Sequence, residues 1–179
     1  FSHLGANRTA MTLLAYEPVL ILIAVSMYLV TGSFDVSSVY KMSEPLLYKM
    51  PLAFIALLLI LPIKLKKSPF DIAEAHQEIT GGTEIEFSGI FFEAVYTAKW
   101  LDNVFCYTLV FLFAGSNILL GAALVVFTFF YLNALDNSSA RVNYRQMLRF
   151  SLTVAFSLAF INLLINSLTV PFSIVLLLL

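Results

Sequence analysis

The sequence predicts an all-α protein, a polytopic transmembrane helical bundle of about five spans with one long acidic loop. Three observations lead there. Hydrophobic residues make up 60% of the 179 and charged residues only 12%, where a soluble domain carries about 25% charged and 45–50% apolar residues. Mean hydropathy is +0.92. Apolar runs close to the roughly 20 residues needed to cross hydrocarbon recur along the chain, separated by polar segments.

Thr9 to Val30 is the first predicted span, with Glu17 its one charge. Thr31 to Ser43, with Gly32, Asp35 and a Ser pair, reads as a loop. Pro45 to Ile63 is the second span, bounded by prolines and carrying Lys49 near its start. Lys64 to Gly89 is the long polar loop. Ile90 to Ala114 is the third span, interrupted by Glu93, Lys99 and Asp102. Gly115-Ser116-Asn117 is a tight turn into the uncharged fourth span, Ile118 to Leu135. Asp136 to Arg149 is polar and basic. Phe150 to Val170 is the fifth span, expected to stop or kink at Pro171. No repeat or low-complexity linker divides the chain, so residues 1–179 read as one membrane domain.

Five spans place the long loop, Asp136–Arg149 and Arg8 on one side. That side holds Arg8, Lys64, Lys66, Lys67, Arg141, Arg145 and Arg149, and the other holds Lys41 and Lys49. The asymmetry predicts that the long loop faces the cytoplasm. The net charge of −1 supplies no basic field for nucleic acid. Cys106 is the single cysteine, so this chain has no thiolate set for an iron–sulfur cluster, a nickel centre or structural zinc. The chain opens Phe1-Ser2-His3, without an initiator Met or the pattern of a signal peptide. It reads as a chain entered partway.

Charges inside spans are costly, about 2.5–3.5 kcal/mol each on insertion scales, and point to ion pathways. Glu17, beside Tyr16 and Pro18, is the first candidate; burial would favour its neutral form and let it exchange a proton near neutral pH. Glu93, Lys99 and Asp102 follow, with Lys99 and Asp102 three apart and able to meet on one helix face. The plainer readings are a headgroup position for Glu93 and a static pair for Lys99 and Asp102. Asn162 and Asn166, four apart, offer a polar strip for helix packing.

In the loop, Ser68-Pro69 is a start signal for a short helix and Gly81-Gly82 an end signal. Asp71, Glu74 and Glu78 would share one face, where like charges repel and call for cations, protons or a partner. Glu84 and Glu86 add two acids beside the next span. A solvated acidic face is the simpler alternative. Glu74, His76 and Glu78 carry donor atoms without a decisive ligand spacing, and no metal site is predicted.

The run Pro69-Phe70-Asp71-Ile72-Ala73-Glu74-Ala75-His76-Gln77-Glu78, followed by Thr83-Glu84-Ile85-Glu86-Phe87-Ser88-Gly89, resembles the signature of one membrane-subunit family. That family, the NADH dehydrogenase subunit 1 family, includes the respiratory complex I subunit at the mouth of the quinone chamber. It also includes counterparts in energy-converting membrane-bound NiFe hydrogenases. Gly5-Ala6-Asn7-Arg8, Tyr16-Glu17 and Arg145-Gln146-Met147 are similar to further family segments in the same order. Where complex I members have an acid at His76, Ala-Glu-Tyr at Ala98-Lys99-Trp100 and an Asn-Arg pair before the Pro-Phe-Asp run, this chain departs. Lys99-Trp100 and Asp136 to Arg141 look like the hydrogenase branch, and Glu-Ala-His-Gln-Glu is similar to archaeal hydrogenases and related sulfane-sulfur reductases. The family has further spans ahead of this point, so the chain is expected to match the C-terminal part of a longer subunit.

The resemblance implies a non-catalytic subunit that anchors a peripheral redox module and couples electron transfer to proton or sodium movement. Residues 64–89 would dock a hydrogenase-like large subunit and an iron–sulfur small subunit, with Asp71, Glu74, His76, Glu78, Glu84 and Glu86 as loop sites. Glu17, Glu93, Lys99 and Asp102 would relay the change toward antiporter-like membrane subunits, supported by Arg8, Tyr16, Arg141 and Arg145. Iron–sulfur clusters and a NiFe centre would sit in other subunits, with no cofactor in this chain. The alternatives are a quinone-site subunit of NADH:quinone oxidoreductase, a stand-alone ion carrier and a purely structural anchor.

Overall fold

The computed structural model describes residues 2–73 and 82–177, with side-chain placement described as far as Thr169. The described residues form helices and turns and no strand. Helix α1 (Ser2–Thr31) runs unbroken through Pro18. It buries Gly5, Thr12, Ala15, Val19, Ile23 and Ser26, spaced to form one stripe. Two short helices follow, α2 (Val36–Tyr40), capped by Asp35, and α3 (Leu46–Lys49). Helix α4 (Pro51–Lys64) leads into the long loop, which returns through a 3₁₀ turn at Gly82–Glu86. Helices α5 (Ile90–Leu112) and α6 (Ile118–Ser138) form a hairpin. Helix α7 (Tyr144–Phe150), a π-helical turn (Ser151–Ala155) and α8 (Phe156–Leu177) complete the chain.

Among the described residues, three helical stretches are long and apolar enough to cross a membrane: α1, α6 and the continuous run Tyr144–Thr169. The other two predicted spans are helical but each lacks one property. The second breaks at Met50, because Pro51 cannot continue a preceding helix and drives the residue before it out of the helical region. That leaves α4 with 14 residues. Helix α5 has the length, 23 residues, but carries Glu93, Lys99 and Asp102. Of the stop or kink expected at Pro171, the stop does not occur, since α8 continues through it to Leu177.

The packed centre is a three-helix unit of α1, α4 and α8. Ala15 shares one apolar cluster with Ile63 and Met147. Val19 and Ile23 share the other with Leu57, Ile60, Ala155 and Ala159. Helices α1 and α8 therefore run parallel, with α4 antiparallel against both. Small residues on the facing stripes let these backbones approach, and Ser151 Oγ donates to the Ala15 carbonyl across the α1–α8 seam. The α5–α6 hairpin joins this unit at its turn and through Cys106, Val110 and Leu132. Phe113, fully buried, lies 5.2 Å from Phe54 between ring centroids, and the Leu47 N–H donates to the Phe113 carbonyl at 2.9 Å. Gly115 takes φ +61° there, a conformation that favours glycine. Along α5, Ile90, Phe91, Trp100, Leu101 and Val104 point outward and exposed.

Candidate functional site

The charged residues gather at one end of the bundle, where α1 begins, α4 ends and the long loop leaves and returns. The outgoing part of the loop is clasped by the last turn of α6 and the segment after it. Asp136 accepts from the Ser68 N–H at 3.0 Å and pairs with Lys67 at 3.3 Å. Ser68 Oγ donates to the Ser139 carbonyl at 2.9 Å, and the Val142 N–H donates to the Pro69 carbonyl at 3.0 Å. Arg141 pairs with Asp71 at 3.1 Å. From α1, Arg8 donates to the Ile72 carbonyl at 3.2 Å. A cleft of about 360 Å³ opens between these groups, lined by Arg8, Asp71, Arg141, Asn143 and Tyr144.

This geometry changes the reading of the loop's first half. Residues 69–73 are turns, so the helix expected from Ser68-Pro69 does not begin there. Asp71 faces inward to Arg141 rather than lining an outward acidic face. Glu74, His76 and Glu78 lie outside the described residues. At the far end, Gly82 opens the 3₁₀ turn and is buried against α1. Its backbone comes so close to Gly5 that a Cβ on Gly5 would lie 2.6 Å from the Gly82 Cα.

From that turn a ladder of opposite charges enters the bundle. Glu84, half-buried, pairs with Lys99 on α5. One turn further along α5, Asp102 pairs with Lys64 at the end of α4 at 3.0 Å. The Lys64 ammonium lies 5.2 Å from the Tyr16 ring centroid and 5.7 Å from that of Phe105, a cation–π arrangement. The Lys64 side chain is 11% exposed and Asp102 is 56% exposed, so the cation is the desolvated partner. A cleft of about 120 Å³ separates the two pairs, lined by Lys64, Leu65, Lys66, Lys99, Asp102 and Asn103.

Lys99 and Asp102 thus meet partners on other elements, where their spacing alone suggests a pair with each other. The expected acid positions outside the ladder are open. Glu17 follows Tyr16, faces away from the buried stripe of α1 and is exposed on the surface of the chain. Glu93 is exposed near the start of α5, and Glu86 is exposed at the end of the 3₁₀ turn. Arg145 donates to the Tyr144 hydroxyl at 3.1 Å. Sequence reasoning misses Lys64 and Asp136 as site residues. Lys64 reads from the sequence only as a loop cation, although its place directly after the apolar run of α4 is the available signal. Among the described residues no group of three or more His, Cys, Asp or Glu could hold a metal.

A family model described as NADH dehydrogenase matches residues 1–167. The chain belongs to that family. An NADH-quinone oxidoreductase subunit from Methylococcus capsulatus is 30% identical over 180 residues, covering 93% of this chain and 56% of the relative. Its counterpart from Campylobacter jejuni is 29% identical over 189 residues, covering 95% and 55%. The chain therefore spans about half the length of the curated relatives it matches. Among solved structures it resembles a chain of the membrane-bound sulfane sulfur reductase, an archaeal respiratory membrane complex, with a TM-score of 0.77 and 23% identity. That match covers 92% of this chain and 60% of the other, and it establishes a shared fold.

Proposed function

We propose that this member of the NADH dehydrogenase family is a non-catalytic membrane-anchoring and ion-coupling subunit of a multisubunit respiratory oxidoreductase. In this reading it docks a peripheral redox module on the loop side and passes a change there to proton or sodium translocation. One observation carries it: the ladder Glu84–Lys99 and Asp102–Lys64, ending on Tyr16. Each rung joins a different element, so a shift of the loop alters the partner of Lys99 and then the field at Asp102 and Lys64. Such a linked set of charges passes a displacement at one rung to the field at the next.

The finer reading is a ferredoxin-linked membrane-bound NiFe hydrogenase or sulfane reductase. Lys99 supports it, because a cation stands where complex I members carry an acid, and its pairing with Glu84 gives that cation a structural role. The loop is cytoplasmic in this reading, since the clasped end holds Arg8, Lys64, Lys66, Lys67, Arg141, Arg145 and Arg149. Redox groups belong to a large subunit and an iron–sulfur small subunit bound on that side, and antiporter-like subunits lie in the membrane. The names of the curated relatives favour a second reading, a subunit of a quinone-reducing complex.

The test uses the complex purified with this chain and reconstituted in vesicles. Glu84→Gln and Lys99→Met are each expected to lower ion translocation per electron by several-fold while electron transfer by the redox module persists. Unchanged translocation in both variants sinks the coupling reading. Inhibition of turnover by quinone-site ligands would shift the assignment to quinone reduction.

A further inference from the structure

Most polar side chains inside these helices satisfy themselves on their own backbone. Thr128, Thr108 and Thr153 donate to the carbonyl four residues back. Asn103, Asn133 and Asn137 do the same through Nδ2, each at 2.8 Å. Three buried groups break this pattern. Among the described residues, Ser26 Oγ on α1, and Asn162 Nδ2 and Asn166 Nδ2 on α8, have no hydrogen-bond partner. Their residues are 0%, 3% and 5% exposed. Leaving such groups dry costs about 1–3 kcal/mol each.

Register brings Ser26 and Asn162 to similar depths, with Asn166 about one turn beyond. The Ser151 hydroxyl meets the Ala15 carbonyl where α1 and α8 run parallel. Ser26 lies eleven residues beyond Ala15, and Asn162 eleven beyond Ser151. At ~1.5 Å per residue both stand roughly 16 Å further along the seam. Ser26 continues the buried stripe of α1, and Asn162 and Asn166 continue the stripe Ser151, Ala155, Ala159 of α8. The two stripes face each other across the three-helix unit. The α4 residues packed into the same interior include Ala53 and Ala56, which are small.

We propose that Ser26, Asn162 and Asn166 hold internal water between α1 and α8, forming a hydrated site inside the membrane domain. The ligand is water rather than a metal cation, because the unpartnered atoms of both asparagines are N–H donors, which seek an oxygen and repel a cation. A water accepting from an amide and donating to the serine oxygen meets the usual need for two to four polar partners. The site lies on the far side of Ala15 from the clasped end, so it extends the polar interior beyond the reach of the charge ladder. The hydrated site rests on the fold alone and stands whether or not the charge ladder couples ions.

Two measurements on the purified membrane complex test it. Radiolytic hydroxyl labelling marks side chains beside bound water. Ile23, 4% exposed and one turn before Ser26, is expected to be labelled in the parent protein and to lose most of that label in Asn162→Leu. Absence of label on Ile23 in the parent overturns the proposal, as does equal label in the variant. Thermal unfolding supplies the second measurement. If the site is wet, Asn162→Leu, Asn166→Leu and the milder Ser26→Ala lower the unfolding midpoint. If it is dry, replacing an unpaired amide by an isosteric apolar group raises the midpoint, which overturns the proposal. A midpoint that rises in sodium over choline chloride, with the rise abolished in Asn162→Leu, also overturns it and assigns the site to a cation.

Discussion

Lys64 ends an apolar helix, yet its ammonium is more enclosed than the carboxylate it pairs with. The Tyr16 and Phe105 rings take the place of water on its other sides. Because Asp102 is largely exposed, the pair is worth less than a buried one. A double-mutant cycle with Lys64→Met and Asp102→Asn is expected to give a coupling of about 0.5–1 kcal/mol in unfolding free energy. At Gly5 the constraint is steric. A methyl group there meets the backbone of Gly82 and Thr83, at 2.6 and 2.8 Å, and neither backbone has a flexible end to yield. Gly5→Ala is expected to cost about 1–3 kcal/mol through overpacking and to speed protease cleavage of the loop; unchanged cleavage would contradict the close approach. At this level the sequence is partly legible. In-span charges mark Lys99 and Asp102 correctly as unusual, but spacing along one helix names only local partners. Their real partners, Glu84 and Lys64, come from chain segments 15 and 38 residues away, which no periodicity reveals.

Helices here start and stop for local reasons that the residue pattern shows well. Asn117 and Asn143 cap α6 and α7, and the Asn143–Gln146 capping box is a recognisable signature. The break at Met50–Pro51 is equally present in the sequence, but a hydropathy window passes over it because both flanks are apolar. Asp35 caps α2, and its carboxylate accepts from the Ser37 side chain and backbone N–H. These bonds hold its pKa below the ordinary 3.8, chiefly through the Ser37 hydroxyl. A depressed carboxyl stabilises the folded form above its unfolded pKa and loses that contribution as pH falls through the folded value. The protection of α2 amides against hydrogen exchange is therefore expected to be flat down to about pH 4 and to fall below it, with Asp35→Asn removing the pH step. The first half of the long loop is the least legible stretch. A Ser-Pro start signal with spaced acids fits a helix, but hydrogen bonds to the Asp136 carboxylate, the Ser139 carbonyl and the Val142 N–H hold residues 68–69 in turns.

Across the molecule, burial is uneven. Helices α1, α4 and α8 share one core, to which α5 and α6 add Cys106, Val110 and Leu132 and their turn adds Phe113, while other large aromatic and aliphatic side chains of that hairpin point outward. Segments with fewer buried contacts open at lower free energy. Hydrogen exchange on the chain in detergent is therefore expected to be faster across Ile90–Trp100 than across Val19–Ser26; equal rates would mean that the hairpin is held as firmly as the core. The all-helical class can be read from composition and the apolar runs, because lipid exposure leaves a strong signal. Which segments form the core cannot, since lipid-facing and core-facing positions in this chain are equally apolar.

The pairing of Lys64 with Asp102 also bears on how the chain is made. The two residues are 38 positions apart, and at about 5–20 residues per second roughly 2–8 s separate their synthesis. Through that interval α4, a 14-residue helix already too short to cross the bilayer comfortably, ends in an ammonium that Asp102 cannot yet balance. Its settled depth therefore waits on α5, and a stall between the two codons would leave a half-inserted helix for membrane quality control to find.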